Sequence, residues 1–192
     1  EVLRTIHTTL KAKGDDALAG QDVKAAAMHR VFGFEILPAP FVVAHLQLGL
    51  LLQNLGAPLA ANTDERVGVY LTNSLTGWEP PSGPQLRLAI PEMEEERDAA
   101  EQVKRQRRIL VILGNPPYNG FAGVAMDEER TLSTAYRVAR TTKQPQGSGL
   151  NDPYLRFFRM AERRIVEQTG EGVIAFISNY SWLDGLSFTG MR

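Results

Sequence analysis

Four short apolar segments, separated by longer segments with helical periodicity, constrain the fold of this chain more than any other feature. They cover residues 30–36, 66–72, 109–113 and 173–178. Their length and their content of β-branched and aromatic residues are typical of buried strands. Between them, apolar residues recur at the three- and four-residue spacing of one helical face. This alternation of helix and strand predicts an α/β fold with a parallel, doubly wound sheet.

Turn-forming and capping residues mark the ends of the intervening helices. The apolar spacing predicts a helix at the start of the chain, followed by a loop over residues 14–20. A second helix begins at Pro38, because proline suits the first helical turn, and ends at Gly56. A third helix, over residues 91–108, has acidic residues before basic ones, the order that the helix dipole favours. A fourth follows Asp152, a side chain suited to an N-cap.

Composition excludes several classes of protein. The 192 residues are 43% hydrophobic and 22% charged, which is ordinary for one globular domain over residues 1–192. A net charge of −1 does not indicate nucleic-acid binding by bulk electrostatics. There is no cysteine, the three histidines are scattered, and no apolar run is long enough to span a membrane. We therefore expect a cytoplasmic protein with no metal site.

The third apolar segment is followed, after Gly114, by Asn115, Pro116, Pro117 and Tyr118. Ligands of open α/β sheets bind at the carboxyl ends of the strands, which is where this tetrapeptide lies. An amide oxygen and a nearby backbone carbonyl, held by a stiff loop, can accept both hydrogens of one amino group. The tyrosine ring can stack on the planar system that carries that group. Such a loop is suited to aim an amino lone pair at an electrophile.

This tetrapeptide resembles the catalytic motif of amino-group methyltransferases that use S-adenosyl-L-methionine, above all adenine-N6 DNA methyltransferases. The resemblance implies a Rossmann-like methyltransferase fold, with Asn115, Pro116, Pro117 and Tyr118 as catalytic residues and double-stranded DNA with a flipped adenine as substrate. The same tetrapeptide occurs in enzymes that methylate a protein glutamine, and close variants occur in RNA methyltransferases. These two activities are alternatives, as is a catalytically inactive module for DNA docking or assembly.

Other segments resemble the cofactor-binding parts of the same family. The resemblance implies that Glu35 binds the ribose of S-adenosyl-L-methionine and that Ile36 packs on its adenine. Asn73 stands where the family usually has an acid that accepts a bond from the adenine amino group, so the charge is lost here. Phe157 matches the aromatic residue that closes over that adenine, whereas Tyr154 and Phe158 are expected to be core residues.

The segments "LPAPFVVAHLQLGL", "YLTNSL" and "DPYLRFF" are most similar to the methyltransferase domain of large single-polypeptide restriction-modification enzymes, of the type ISP or type IIG kind. The resemblance implies helicase/nuclease and target-recognition domains in the same parent chain. The family's first strand and Gly-rich turn have no counterpart here. We therefore expect a partial domain with exposed apolar faces, and no methylation of DNA by residues 1–192 alone.

Two basic segments are candidates for contact with DNA phosphates. The loop over residues 119–149, which includes Arg137, Arg140 and Lys143, follows the catalytic tetrapeptide and is the stronger candidate. The cluster over residues 104–108 precedes the third strand, so it is expected at the opposite edge of the sheet.

Overall fold

The computed structural model describes residues 1–14, 17–80, 90–118, 127–138 and 149–191. Within these ranges the protein has a mixed α/β architecture. It divides into two compact units, Glu1–Lys104 and Arg105–Arg192, and each unit contains one small parallel sheet.

The first unit packs helices against a two-stranded sheet. The elements, in chain order, are α1 (Val2–Ala12), α2 (Ala19–His29), β1 (Gly33–Glu35), α3 (Pro38–Asn54), β2 (Val69–Leu71) and α4 (Pro91–Gln106), which ends just beyond the boundary of the unit. The core joins α1, α2, α3 and the region of β2 through Leu3, Val23, Ala26, Ala27, Leu52, Val67 and Val69.

The loop predicted over residues 14–20 is wrong at its end, because Ala19 and Gly20 begin α2. A Cβ atom on Gly20 would lie 2.5 Å from the carbonyl oxygen of Leu55, so glycine allows α2 to lie close to the end of α3. Glycine is a poor helix former. Here tertiary packing against Leu55 determines the conformation instead of local propensity.

The outer edge of β2 is closed by side chains. Strand β1 pairs with β2 in parallel, with Glu35 opposite Leu71. On the other side of β2, Arg66 donates to the carbonyl of Val69 at 2.6 Å, and Glu96 accepts from the Leu71 N–H at 3.2 Å. Arg66 and Glu96 also form an ion pair. These side chains therefore occupy backbone groups of β2 that would otherwise be open to pairing with another strand.

The second unit places its helical segments around two strands. The elements are β3 (Val111–Gly114), α5 (Asp127–Leu132), a 3-10 helix (Ser133–Arg137), a 3-10 turn (Gly149–Asn151), α6 (Pro153–Glu162), a π-helix (Arg163–Thr169), β4 (Val173–Phe176), α7 (Ser181–Asp184) and a kinked 3-10 segment (Leu186–Met191). Asp152 forms the predicted N-cap of α6, and Gly170, in the left-handed region at φ 83°, ends the π-helix that continues α6.

Strands β3 and β4 are parallel, but the third segment is not buried as predicted. Val111 and Leu113 of β3 and Val173 of β4 share one face of the sheet, and each is more than half exposed. On the opposite face Phe176 packs edge-on against Phe158 of α6, with ring centroids 5.2 Å apart. The apolar sequence correctly indicates a strand but does not reveal that only one face is covered.

All four predicted strands form, with narrower bounds than the sequence indicated, and both pairs are parallel. The helices predicted from Pro38 and after Asp152 begin at those boundaries. The single doubly wound sheet of the methyltransferase fold stays a prediction, as does its missing first strand.

Lys104 is a fully buried cation in the first unit, 1% exposed. Its Nζ donates to Thr72 Oγ1 at 3.0 Å, to the Asn73 carbonyl at 2.7 Å and to the Thr76 carbonyl at 2.9 Å. It also lies 4.9 Å from the centre of the Phe34 ring. A buried charge requires such compensation. Lys104 therefore fixes the loop that follows β2.

Replacing Lys104 with Met should lower the free energy of unfolding by about 2–4 kcal/mol, because it leaves three part-buried acceptors without this donor. Gln102→Met, on the exposed side of the same helix, is the matched control and should change stability by less than about 0.5 kcal/mol. Urea unfolding followed by circular dichroism measures both. Equal stability of the two variants would show that Lys104 does not hold this loop.

Candidate functional site

The tetrapeptide 115–118 leaves the carboxyl end of β3 and is fixed against the end of β4. The Gly114 carbonyl accepts from the Ile177 N–H at 3.0 Å, and the Tyr118 hydroxyl donates to the Ile177 carbonyl at 2.5 Å. Pro116 is buried, whereas Asn115 is exposed. One residue after β4 thus anchors both ends of the loop and leaves the Asn115 side chain accessible.

Gly114 leaves room for the ring of Phe176 on the neighbouring strand. A Cβ atom at this position would lie 3.0 Å from the ring of Phe176. The sequence presents this glycine only as the residue between the strand and Asn115. Its packing role depends on the register, which places Gly114 directly opposite Phe176.

An aromatic cluster supports Tyr118 from one side. The Tyr118 ring lies 5.8 Å from the ring of Tyr154, tilted by 51°, and Tyr118 remains 45% exposed. Tyr154 in turn packs against Phe158 and Phe188, at centroid distances of 6.1 and 6.5 Å. Tyr154 is a core residue, as predicted, whereas Phe158 is partly buried and packs against this core. The tyrosine of the tetrapeptide therefore has a packed ring beneath it and exposed area for a planar ligand.

Tyr154 is 1% exposed. Its hydroxyl has no hydrogen bond of normal geometry to any part of the chain described, although the Asn179 side chain lies nearby. Burial raises the pKa of Tyr154 to about 12, and the Asp152 carboxylate adds to this shift. Tyr154 is thus neutral over the physiological pH range and keeps a polar group beneath Tyr118. Only the contact with Tyr118 distinguishes it from an ordinary core tyrosine, and the sequence carries no signal for that contact.

In the first unit, Glu35 and Ile36 stand at the carboxyl end of β1. The Glu35 carbonyl accepts from the Thr72 N–H at 2.7 Å, which continues the pairing with β2. The Glu35 carboxylate accepts from the Leu37 N–H at 2.9 Å, so its position is fixed by the start of α3. The Ile36 side chain is 62% exposed. Together they present a carboxylate and an apolar surface at one edge of the sheet.

Asn73 lies at the same edge, two residues beyond β2. Its Oδ1 accepts from the Leu75 N–H at 2.9 Å, and its carbonyl accepts from Lys104. The amide group is thus held in one orientation.

The burial of Lys104 had one signal in the sequence. Lys104 lies four residues after Ala100 and directly follows Val103, and all three are buried on α4. A basic run otherwise indicates a solvated surface.

The first unit brings together Glu35, Ile36 and Asn73, and the second unit contains residues 115–118 and Phe157. Phe157 is half-buried on α6. Its assignment to the adenine of the cofactor, like that of Glu35, Ile36 and Asn73, stays a prediction.

The basic loop predicted over residues 119–149 is not a continuous loop. Residues 127–138 form α5 and a 3-10 helix, and Arg137 donates to Asn151 Oδ1 at 2.7 Å. Arg140 and Lys143 lie outside the described residues. The cluster over residues 104–108 also differs from the prediction, because Lys104 is buried in the first unit.

Two further observations concern the described residues only. Nowhere in the described ranges do three or more metal-binding side chains converge on a common point. No helix there has the length and apolar character needed to cross a membrane.

Comparison with known proteins gives structural relatives. No family model and no curated protein matches the chain. The ATP-dependent type ISP restriction-modification enzyme LlaBIII bound to DNA has a TM-score of 0.72 and 22% identity, over 98% of this chain and 12% of that protein. A nuclease-deletion mutant of the type ISP enzyme LlaGI with a DNA substrate mimic has a TM-score of 0.68 and 21% identity, over 99% of this chain and 15% of that protein. The DrdV–DNA complex has a TM-score of 0.66 and 23% identity, over 97% of this chain and 18% of that protein. The chain thus shares the fold of a part of each, and it spans less than a fifth of their length.

Two tyrosine-to-phenylalanine changes should distinguish a buried hydroxyl without a normal hydrogen bond from one that has such a bond. Tyr154→Phe removes a buried hydroxyl without a normal hydrogen bond, so stability should stay within about 0.5 kcal/mol or increase. Tyr136→Phe is the matched comparison, because the Tyr136 hydroxyl donates to Glu162 at 2.7 Å and its removal should cost about 1–2 kcal/mol. Urea unfolding measures both changes. A larger loss for Tyr154→Phe than for Tyr136→Phe would contradict this description of the hydroxyl.

Proposed function

We propose that this protein transfers a methyl group from S-adenosyl-L-methionine to the N6 amino group of adenine in DNA, as part of a restriction-modification enzyme. The observation that carries the proposal is the tetrapeptide 115–118, held against the end of β4 with Asn115 exposed. The fold shared with parts of LlaBIII, LlaGI and DrdV, all determined with DNA or a DNA mimic, supports the restriction-modification context.

Asn115 acts on the amino group that is methylated. The nitrogen of an aromatic amine is a poor nucleophile, because its lone pair is delocalised into the ring. The Asn115 amide oxygen and a neighbouring backbone carbonyl accept its two hydrogens, which favours a pyramidal nitrogen and directs the lone pair outward. Pro116 and Pro117 restrict the backbone, so these acceptors do not rearrange as charge develops.

Tyr118 holds the plane of the base. An adenine within a duplex is inaccessible to such a loop, so the base is rotated out of the stack at a cost of a few kcal/mol. Stacking on the exposed area of the Tyr118 ring offsets part of this cost. The bond from the Tyr118 hydroxyl to Ile177 and the contact with Tyr154 fix the ring before the base arrives. A fixed ring loses little conformational entropy on binding.

The residues at the edge of the first sheet fit the nucleoside half of S-adenosyl-L-methionine. The Glu35 carboxylate accepts bonds from ribose hydroxyls, Ile36 offers apolar surface to the adenine ring, and the Asn73 amide accepts from its amino group. The assignment of Phe157, in the second unit, to the cofactor adenine rests on the family resemblance alone. When bound, the cofactor supplies the electrophilic methyl group. The family resemblance also leads us to propose helicase/nuclease and target-recognition domains of the same parent chain as partners.

Asn115→Ala should reduce methylation of DNA by at least ~100-fold, because it removes one preorganised acceptor at the reacting nitrogen. Affinity for S-adenosyl-L-methionine should stay nearly unchanged. The assay is transfer of labelled methyl groups to duplex DNA by the full-length protein, and Asn54→Ala, at an exposed asparagine of α3, is the control.

Three outcomes would redirect the proposal. Unchanged DNA methylation by Asn115→Ala would favour a catalytically inactive docking module. Label recovered only in protein or only in RNA would favour the glutamine or the RNA activity. Equal losses of methylation and cofactor affinity would give Asn115 a structural role.

Glu35→Ala should weaken binding of S-adenosyl-L-methionine by roughly 1.5–3 kcal/mol, the value of a hydrogen bond to a charged group, and slow turnover only at limiting cofactor. Glu35→Gln keeps an acceptor without the charge and should lose less. Glu92→Ala, at an exposed glutamate of α4, controls for the change in net charge. Isothermal titration calorimetry measures all three. Unchanged affinity of Glu35→Ala would exclude the ribose assignment.

A further inference from the structure

Four arginines converge on one open pocket of about 470 Å³ in the second unit. The arginine pocket, as we call it, contains no acidic side chain among its lining residues. Its lining consists of Arg105, Gln106, Arg107, Arg108, Arg164, Gln168 and Thr169.

Two separate elements form the pocket and are tied together. Arg105, Arg107 and Arg108 belong to the end of α4 and the segment that leads into β3, whereas Arg164 lies in the π-helix after α6. The Thr169 hydroxyl donates to the carbonyl of Ile109 at 3.0 Å, which joins the π-helix to the start of the strand. The arginines therefore meet because of the tertiary structure, since about 55 residues separate Arg164 from the others in the sequence.

Arg164 shows that part of this charge is held away from water. Its side chain is buried at 7% exposure, and it donates to Gln168 at 2.5 Å. Burial lowers the pKa of the Arg164 guanidinium, although arginine remains protonated at neutral pH. An anion placed nearby would stabilise the charged form. At the exposed rim of the pocket, Glu171 forms an ion pair with Arg108 at 2.5 Å.

The arginine pocket lies at the end of β3 opposite to the tetrapeptide. Arg108 precedes the strand and Asn115 follows it, seven residues later. At about 3.3 Å per residue, the two positions are separated by roughly 20 Å along an extended chain. A ligand of this pocket is therefore distinct from the base and cofactor proposed at the carboxyl end.

We infer that the arginine pocket binds backbone phosphates of DNA, outside the base-binding site. Guanidinium groups bind phosphate oxygens in bidentate geometry, and several of them at one surface suit a polyanion. An open pocket admits a passing backbone, whereas a small molecule is usually enclosed. DNA as the ligand rests on the proposed function. The pocket would contact the phosphate backbone of the same duplex away from the flipped base.

The test uses Arg107→Gln combined with Arg108→Gln, both at exposed positions, in the full-length protein. Affinity for a 30-base-pair duplex, measured by fluorescence anisotropy at several salt concentrations, should fall about tenfold at low salt. The slope of log affinity against log salt should become shallower by about 1.8, because two phosphate contacts are lost. Arg4→Gln combined with Lys13→Gln, at exposed positions of α1 and its end, changes the net charge equally and should leave the slope unaltered.

Glu171→Gln is a variant expected to gain function. It removes the acid that pairs with Arg108, so duplex affinity should rise about threefold at low salt. A gain cannot result from misfolding. Failure of Glu171→Gln to tighten binding, or equal salt slopes for the arginine pair and its charge control, would overturn the assignment.

Two further readings separate this inference from the function on which it rests. Competition by inorganic pyrophosphate at micromolar concentration would overturn the backbone assignment in favour of a free phosphate ligand. Loss of salt-dependent binding in the arginine pair, with no methyl transfer by the unsubstituted protein, would uphold the pocket and reject the methyltransferase. Methyl transfer by the unsubstituted protein, with equal duplex binding by all variants, would uphold the methyltransferase and reject the arginine pocket as a DNA-binding site.

Discussion

The parallel pairing of β3 with β4 is the interaction on which the candidate catalytic loop depends. Because the ladder ends with the bond from Ile177 to Gly114, the chain turns at a defined point, and Tyr118 returns to the same residue. Pro116 is buried below this turn, and Asn115 is left at the surface. The loop is therefore shaped by a strand almost 60 residues later in the chain, not by the prolines alone.

A second constraint acts in the first unit, where a buried ammonium organises the loop beyond β2. Lys104 gathers the Thr72 hydroxyl and two carbonyls, and the ring of Phe34 lies beside it. Its desolvation is tolerated because each hydrogen has an acceptor. The outer edge of β2 is satisfied in a comparable way by Arg66 and Glu96. Charged side chains thus complete the backbone bonding of a very short sheet.

The proposed function and the arginine pocket place different chemistry at the two ends of β3. The carboxyl end offers a neutral amide and an aromatic ring, which suit a base whose charge is small. The amino end offers guanidinium groups, which suit the charged backbone. The strand between them has only four residues, Val111–Gly114. A single duplex is long enough to reach both ends.

Local properties were sufficient to predict the four strands, the helix starts at Pro38 and after Asp152, and the tetrapeptide that follows the third strand. These properties are apolar runs, proline at a first helical turn, and an N-cap carboxylate. Three other features became visible only in the folded chain: Gly20 lies in a helix, Lys104 is buried, and Arg164 joins the arginines before β3. Each of the three depends on a partner distant in the chain, and the residue type at one position does not identify that partner.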